Sequence, residues 1–357
     1  MRRRDVLAAV GLAAGAASLN YPAPAIARGF WEFTLVTDWP EGPGMLPSAR
    51  RLAQRILEAS GGRLRIEVFP SGSMVRPFET FDAVSAGVAD MFHTHIGYFE
   101  KKSPAFHFFS SVPFGFTADY LFAWVHFGGG QELWDALCGQ FNIKPLLASS
   151  TGSQMGGWFT HEITSTESFS RLRYRMVEPG ADIFRQLGAI VVVLPGSEIV
   201  HSLQSGAIDA CEWIGPWLDM AIGLDKAARY YYYPSWHEPG TALALGINRR
   251  VWDGLGESDR KLIETVAAGE YALSLAEFNI NNAKALRALR QSGTVELRRF
   301  SAEMLQTFAE IATGVVERLG SGDELSRKIY QRYVGLRATI QEWSAVAEGA
   351  YLDSRAG

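Results

Sequence analysis

The run LPGSEIVHSLQSGAIDACEWIGPW (194–217), with YYYYPSWHEPG (230–240) close behind it, decides how this 357-residue chain is read. Pro195-Gly196 turn the chain, and Ser197 stands where a helix cap would accept an early backbone N–H. Ile199, Val200 and Leu203 fall at helical spacing and give one buried face. Gly206 stands where a helix end needs a left-handed residue. Beyond it, Ala207 to Trp213 reads as a short strand ending in a carboxylate, Glu212, and an indole. Gly215-Pro216 follow at once, so the carboxylate faces a crevice, which is where α/β sheets place ligands.

The same pattern occurs upstream. Val68-Phe69-Pro70-Ser71-Gly72-Ser73 precedes a helix and then Val84-x-x-Gly87-x-x-Asp90. The pairs Val84/Leu203, Gly87/Gly206 and Asp90/Asp209 share one offset of 119 residues. Two strand–turn–helix–Gly–strand units predict two lobes built on one plan. Ahead of the first unit, Phe30–Val36 and Leu64–Phe69 alternate as strands around a helix over 47–59, which Gly61-Gly62 stop. The aromatic stretch 103–116 reads as a loop packed under the first lobe. A helix over 131–138 and a strand over 144–149 lead to the glycine-lined loop GSQMGGW (152–158), which carries Gln154. Arg173–Val177 is a strand with its arginines on one face, 182–187 a helix, and 241–248 a strand returning to the first lobe. From 258 the pattern is helical to the end, over 258–291 and 301–349, with only 294–300 strand-like. Phe127-Gly128-Gly129-Gly130 completes no phosphate-binding motif.

Residues 1–27 read as an address. Arg2-Arg3-Arg4-Asp5 leads an apolar stretch from Val6 to Ala17, and Ala25-Ile26-Ala27 is a small-residue cleavage site, the pattern of a twin-arginine export signal to the periplasm. The whole chain carries 34 Lys+Arg and 38 Asp+Glu; three arginines and one aspartate leave with the signal, so 31 face 37, a net −6. That balance argues against nucleic acid as a partner. No other apolar run approaches the roughly 20 residues of a membrane span. Cys138 and Cys211 either pair or stay as buried thiols. No Cys/His cluster suggests zinc, and neither Gly-x-Ser-x-Gly nor His-Glu-x-x-His is present.

GSQMGGWF (152–159), LRYRMVEPGADIFRQLGA (172–189), the E-W-x-G-P-W run and YYYYPSWHEPG together resemble the substrate-binding proteins of tripartite ATP-independent periplasmic (TRAP) transporters, in the branch that binds 2-oxo acids such as pyruvate. FGGGQELWDAL (127–137) and QFNIKPLLA (140–148) match as well. The resemblance implies an α/β, two-lobed periplasmic solute-binding fold, with a ligand cleft between lobes and long C-terminal helices. Residues 28–148 would form the first part of lobe 1 and 149–240 the main part of lobe 2. Residues 241–300 would return to lobe 1 and add a connecting helix, and 301–357 would form the C-terminal helices. The function implied is delivery of a small 2-oxo or 2-hydroxy monocarboxylate, such as pyruvate or lactate, to membrane permease subunits.

The resemblance also implies site roles. Arg175 holds the substrate carboxylate, while Gln154, Glu212 and the Trp213 carbonyl hold a cation, sodium or alternatively calcium, that also touches the substrate. Glu238 lines the same cleft or caps a turn. The chemistry suits each role: Arg offers a planar fork to a carboxylate, and an all-oxygen set suits a hard cation. Without the resemblance, Arg175 reads more often as a solvated strand arginine, and Glu212 reads equally as an ion-pair partner or a ligand. A periplasmic enzyme using Glu212, Glu238 or His237 on a metal-bound oxo acid, and a ligand-binding sensor subunit, are the competing readings. His93, His95 and His201 read as structural. The apolar stripe Met304, Leu305, Phe308, Ile311, Val315, Val316 and Leu319 along the tail covers the protein's own lobes, or, as the resemblance implies, the tail helix mediates a homodimer.

Overall fold

The computed structural model describes residues 29–355; the expected export signal at 1–27 lies outside them. β1 (Trp31–Thr37), α1 (Met45–Ala59), β2 (Leu64–Phe69), α2 (Thr80–Ser85) and β3 (Met91–Thr94) open the first lobe. α3 (Ala118–Phe127), α4 (Gly130–Gly139), β4 (Ile143–Gly152) and, much later, β10 (Thr241–Asn248) complete it. Its sheet runs β2-β1-β3-β10-β4, the first three parallel and β10 antiparallel to both neighbours.

The second lobe comprises β5 (Gly157–Phe159), β6 (Arg173–Arg175), α5 (Gly180–Gln186), β7 (Ile190–Val192), α6 (Gly196–Gln204), β8 (Ala210–Cys211), α7 (Pro216–Ile222) and β9 (Tyr230–Tyr233). The strands β7-β6-β8 are parallel and repeat the order β2-β1-β3 of the first lobe. The repeat extends to single bonds. Gly87 and Gly206 are left-handed at φ 76° and 70°. The Asp90 carboxylate accepts from Thr34 N–H at 2.8 Å, and that of Asp209 from Arg173 N–H at 3.0 Å, each tying the third strand of its unit to the first.

α8 (Arg249–Gly254) and α9 (Glu257–Ser292) follow the return strand. At 36 residues, α9 is about 54 Å long. Ile263 and Ala267 enter the core of the first lobe, while Phe278 and Leu289 enter that of the second, so one helix underlies both. β11 (Glu296–Arg299) then pairs with β9 in the second sheet. The stretch 241–300 therefore starts in the first sheet with β10 and reaches the second with β11, because α9 carries the chain across. α10 (Ala302–Leu319) packs Met304, Phe308, Ala312 and Val315 into the second lobe, and α11 (Glu324–Ser344) packs Ile329 and Tyr333 into the first.

Some local expectations change. α6 starts at Gly196 with Pro195 as cap and no side-chain cap bond, so Ser197 lies inside the first turn and caps nothing. The strand expected over 207–213 shortens to two residues, since Asp209 turns to Arg173 and Glu212 leaves the sheet. The tail breaks at Gly320–Asp323, where the Asp323 side chain caps α11. The stretch 103–116 holds a 3₁₀ turn, Pro104–Phe109, whose phenylalanines enter the first core. Cys138 and Cys211 are free, buried thiols in different cores.

Candidate functional site between the two sheets

β6 and β8 lie side by side, and Glu212 N–H donates to the Arg175 carbonyl at 3.0 Å. This sets Arg175 and Glu212 at adjacent strand exits, both about 1 % exposed. Arg175 Nη1 donates to Glu212 Oε2 at 3.0 Å and also to the Glu212 carbonyl, while Nε reaches the Leu194 carbonyl at 3.2 Å. Among the described residues nothing accepts from Nη2, and the guanidinium lies 5.4 Å from the centre of the Trp213 ring. A Cβ at Gly196 would collide with that ring, so the glycine lets the indole approach the start of α6.

Gln154 lies in the connection from β4 to β5. Its Nε2 donates to Thr241 Oγ1 at 3.0 Å and Thr151 Oγ1 at 3.3 Å, which turns the buried Oε1 away from both, without a partner. Glu212 Oε1 and Glu238 Oε1 are buried without hydrogen-bond partners too. The N–H of Trp217, which in a helical turn would meet the Trp213 carbonyl, donates instead to Asn282 Oδ1 at 3.0 Å. The first lobe contributes Trp39, Met45, His95 and Tyr98 to the same cavity, which measures about 20 Å³. One water needs roughly 10–15 Å³, so the cavity as it stands has the size of one or two waters.

Burial pushes the Glu212 carboxyl well above the usual carboxylate range, and the nearby Glu238 pushes it further, against the opposing pull of Arg175. Glu238 feels the same burial, yet His95 holds it below its ordinary value. His95 Nε2 stands 3.2 Å from Glu238 Oε1, in contact but off the axis of a good hydrogen bond. Desolvation lowers His237 to about 4, which keeps its imidazole neutral. One ligand-capable atom from each of Glu212, His237 and Glu238 lies within 4.8 Å of the others. Unpaired buried acceptors of this kind cost several kcal/mol unless something positive meets them. The carboxylates and the amide that line this cavity offer oxygens suited to a hard cation, and the free edge of Arg175 fits a carboxylate.

Two supports hold this arrangement. Asp219 on α7 accepts from Ile214 N–H at 3.1 Å, Gly215 N–H at 3.0 Å, Trp158 Nε1 at 2.8 Å and the Tyr231 hydroxyl at 2.7 Å, so it fixes the turn after Trp213. On the other side, Trp39 Nε1 donates to His93 Nδ1 at 2.8 Å. An indole only donates, so His93 Nδ1 accepts and Nε2–H donates to Ser149 Oγ, also at 2.8 Å. The relay continues through Ser48 to Glu270 on α9, with steps of 2.7 and 2.6 Å. Burial lowers His93 to about 3, as this neutral role requires.

The structure therefore brings Gln154, Arg175, Glu212, Trp213 and Glu238 to one cavity. Arg173 is engaged elsewhere, with Asp209. Tyr230, Tyr231, Tyr232 and Trp236 pack in cores outside the cavity. Trp39, Met45, Tyr98, Thr151 and Thr241 reach it without having been singled out for it in the sequence; the pairing of β10 with β3 and β4, which no local pattern encodes, brings Thr241 there.

Residues 35–322 match the family described as bacterial extracellular solute-binding protein, family 7. The monocarboxylate 2-oxoacid-binding periplasmic protein of Nostoc sp. (strain PCC 7120) is 35% identical to this chain, over 98% of each. A TRAP transporter solute-binding protein of Bordetella bronchiseptica, a mixed-occupancy dimer with copurified calcium and picolinate, superposes with TM-score 0.89 at 28% identity, over 92% of this chain and 97% of that one. A TRAP periplasmic solute-binding protein of Pseudoalteromonas atlantica, with bound sodium and pyruvate, gives TM-score 0.87 at 29% identity, over 91% and 99%. Among the described residues no helix is long and apolar enough to cross a membrane. The chain belongs to the DctP family of bacterial extracellular solute-binding proteins, the periplasmic receptors of TRAP transporters.

Proposed function

We propose that this receptor binds one small 2-oxo or 2-hydroxy monocarboxylate together with a cation and delivers both to TRAP membrane subunits. The observation that carries this reading is the meeting of Gln154 Oε1, Glu212 Oε1 and the unengaged edge of Arg175 in one buried cavity. Arg175 and Glu212 pair with each other there. An incoming carboxylate takes over the guanidinium, and a cation on Gln154, Glu212 and the Trp213 carbonyl compensates the carboxylate so released. A 2-oxo acid suits this exchange because its keto and carboxylate oxygens can share one ion. The relatives bound to pyruvate or picolinate, with sodium or calcium, support the same pairing. Calorimetry of ion-stripped protein against pyruvate, lactate and acetate, with sodium or calcium added back, tests it. Binding of sugars or amino acids alone would reject it.

The proximity of Glu212, His237 and Glu238 is also what an acid–base enzyme would need. Incubation with the same acids, followed by NMR, separates the readings: turnover would favour the enzyme. The tail suggests a homodimer. Trp343, Val346, Tyr351 and Leu352 are 58–73 % exposed beyond the part of α11 that packs on lobe 1. We expect these to be covered by a second copy; light scattering that shows a monomer at every accessible concentration would reject the dimer.

A further inference from the structure

The turn between β8 and α7 carries Glu212 and Trp213, and its carbonyls can be followed one by one. That of Glu212 accepts from Arg175 Nη1, that of Ile214 from the Met155 N–H at 3.0 Å, and that of Gly215 from the Asp219 N–H at 2.9 Å. Among the described residues nothing donates to the carbonyl of Trp213, although that residue is only 8 % exposed. A buried carbonyl without a donor is uncommon and costs free energy until something meets it. The N–H groups that follow are all engaged. Those of Ile214 and Gly215 go to the Asp219 carboxylate, and Pro216 has none. The next, on Trp217, stands four residues beyond Trp213, where a helical bond would run to that carbonyl. It donates instead to Oδ1 of Asn282, on α9.

α7 has no side-chain cap of its own, because its N-cap is Gly215. A Cβ there would lie 3.1–3.3 Å from the Asn282 carboxamide, so the glycine makes room for a cap that another helix supplies. Trp217 also packs edge-on against Phe278, one turn earlier on α9, with ring centres 5.1 Å apart. Adjacent turns of α9 therefore hold the start of α7.

We propose that Asn282 is a positioning residue for the cation: by taking the Trp217 N–H, it keeps the Trp213 carbonyl open as a ligand. The inference rests on the functional reading above. Asn282 holds Gly215 extended, at φ −170° and ψ 174°, which stops α7 from winding back towards Trp213. Without the amide, the Trp217 N–H lacks an acceptor, and the one that helical geometry offers is the Trp213 carbonyl. That bond competes with a cation for the same oxygen. Because α9 underlies both lobes, this ligand is set by the element that joins them and not by the sheet of lobe 2 alone.

The test is calorimetric titration of ion-stripped protein with sodium chloride or calcium chloride at fixed pyruvate. Asn282 is half-buried, so Asn282→Ala empties no core. In this variant the half-saturating cation concentration rises about tenfold, while pyruvate affinity at saturating cation stays within about twofold of wild type. Asn282→Asp keeps an accepting oxygen and returns the midpoint towards wild type. Asn281→Ala, the neighbouring amide, leaves it in place. A merely structural cap would lower the melting temperature of Asn282→Ala without moving its cation midpoint, and that result overturns the proposal. An Asn282→Asp as defective as Asn282→Ala overturns it too, since the accepting oxygen would then not matter. Either failure, with wild type still cation-dependent, leaves the functional reading intact. A wild type whose pyruvate affinity ignores both cations overturns that reading as well.

Discussion

Arg175 makes three bonds to its own lobe before any ligand arrives, to Glu212 Oε2, the Glu212 carbonyl and the Leu194 carbonyl. Its fork is therefore preset in angle. Arg175→Lys keeps the charge but cannot make the two parallel bonds. We expect a loss of about 2–5 kcal/mol in ligand binding, at the lower end because the charge remains, measured by calorimetry at saturating cation. Unchanged affinity would move the carboxylate clamp to another residue. Asp219 is the counterpart for stability. Burial raises it from 3.8 to about 6 although four donors face it. A carboxyl raised in the folded state stabilises below its unfolded value, and that contribution is lost as pH rises through about 6. Asp219→Asn removes the titration and turns an amide N–H₂ toward an indole that cannot accept. The variant should lose about 1–3 kcal/mol at pH 7. Its deficit against wild type should grow as pH falls from 6 to 4; a constant deficit in urea unfolding would contradict the assignment. Glu212 was legible in sequence as a carboxylate at a strand exit before Gly215-Pro216, whereas the role of Arg175 came from the family resemblance, since by itself it reads as a solvated strand arginine. Asp219 and Tyr98 were not legible, since an Asp in a helix and a Tyr in a 3₁₀ turn acquire their roles only from groups distant in the chain.

At the scale of elements, the two parallel units repeat because each needs the same three devices. These are a left-handed glycine after the helix, an aspartate that ties strand to strand, and a strand exit open to the cleft. Gly87/Gly206 and Asp90/Asp209 carried this plan openly at a fixed spacing. α3 did not announce itself, because ADYLFAWVHF is apolar on most sides and shows no clean period. The break at Gly320–Asp323 carried readable signals, two glycines and a capping aspartate, that a long apolar stripe on either side masked. α9 is the element on which both lobes depend. Glu270, fully buried on it, takes Ser48 and the forked Arg51, and through Ser48 ends the relay from Trp39. Glu270→Ala leaves Arg51 with Glu277 and partial solvation. The expected cost is therefore about 2–3 kcal/mol, below the 3–5 kcal/mol of a fully buried broken pair. Chemical denaturation measures it, and loss of the relay should also broaden the Trp39 indole N–H resonance. A variant as stable as wild type would show that the relay adds nothing to the fold.

For the molecule as a whole, lobe 2 carries the charged clamp and lobe 1 supplies the cover of Trp39, Met45, His95 and Tyr98. Binding and closure are then one equilibrium, and a ligand shifts it only by its differential affinity for the closed form. Electrostatics decides which ligand does so. With the acid alone, the ligand carboxylate and Glu212 would share one guanidinium while Glu238 faces His95, so Glu212 must either stay ionised at a cost or take up a proton. Excess buried negative charge costs several kcal/mol per unpaired ion even after relaxation. With a cation alone, Arg175 and the cation would compete for Glu212. Only acid and cation together satisfy both, so each should raise the other's affinity by the same factor, about 5–150-fold. Small-angle scattering on ion-stripped protein should show little compaction with either component and full compaction with both. Sodium and calcium arms tell which ion closes the cleft. Glu212→Gln should weaken the coupling toward unity while leaving the carboxylate clamp in place. Full closure on acid alone, or a coupling factor of one between acid and cation, would rule out a shared cation.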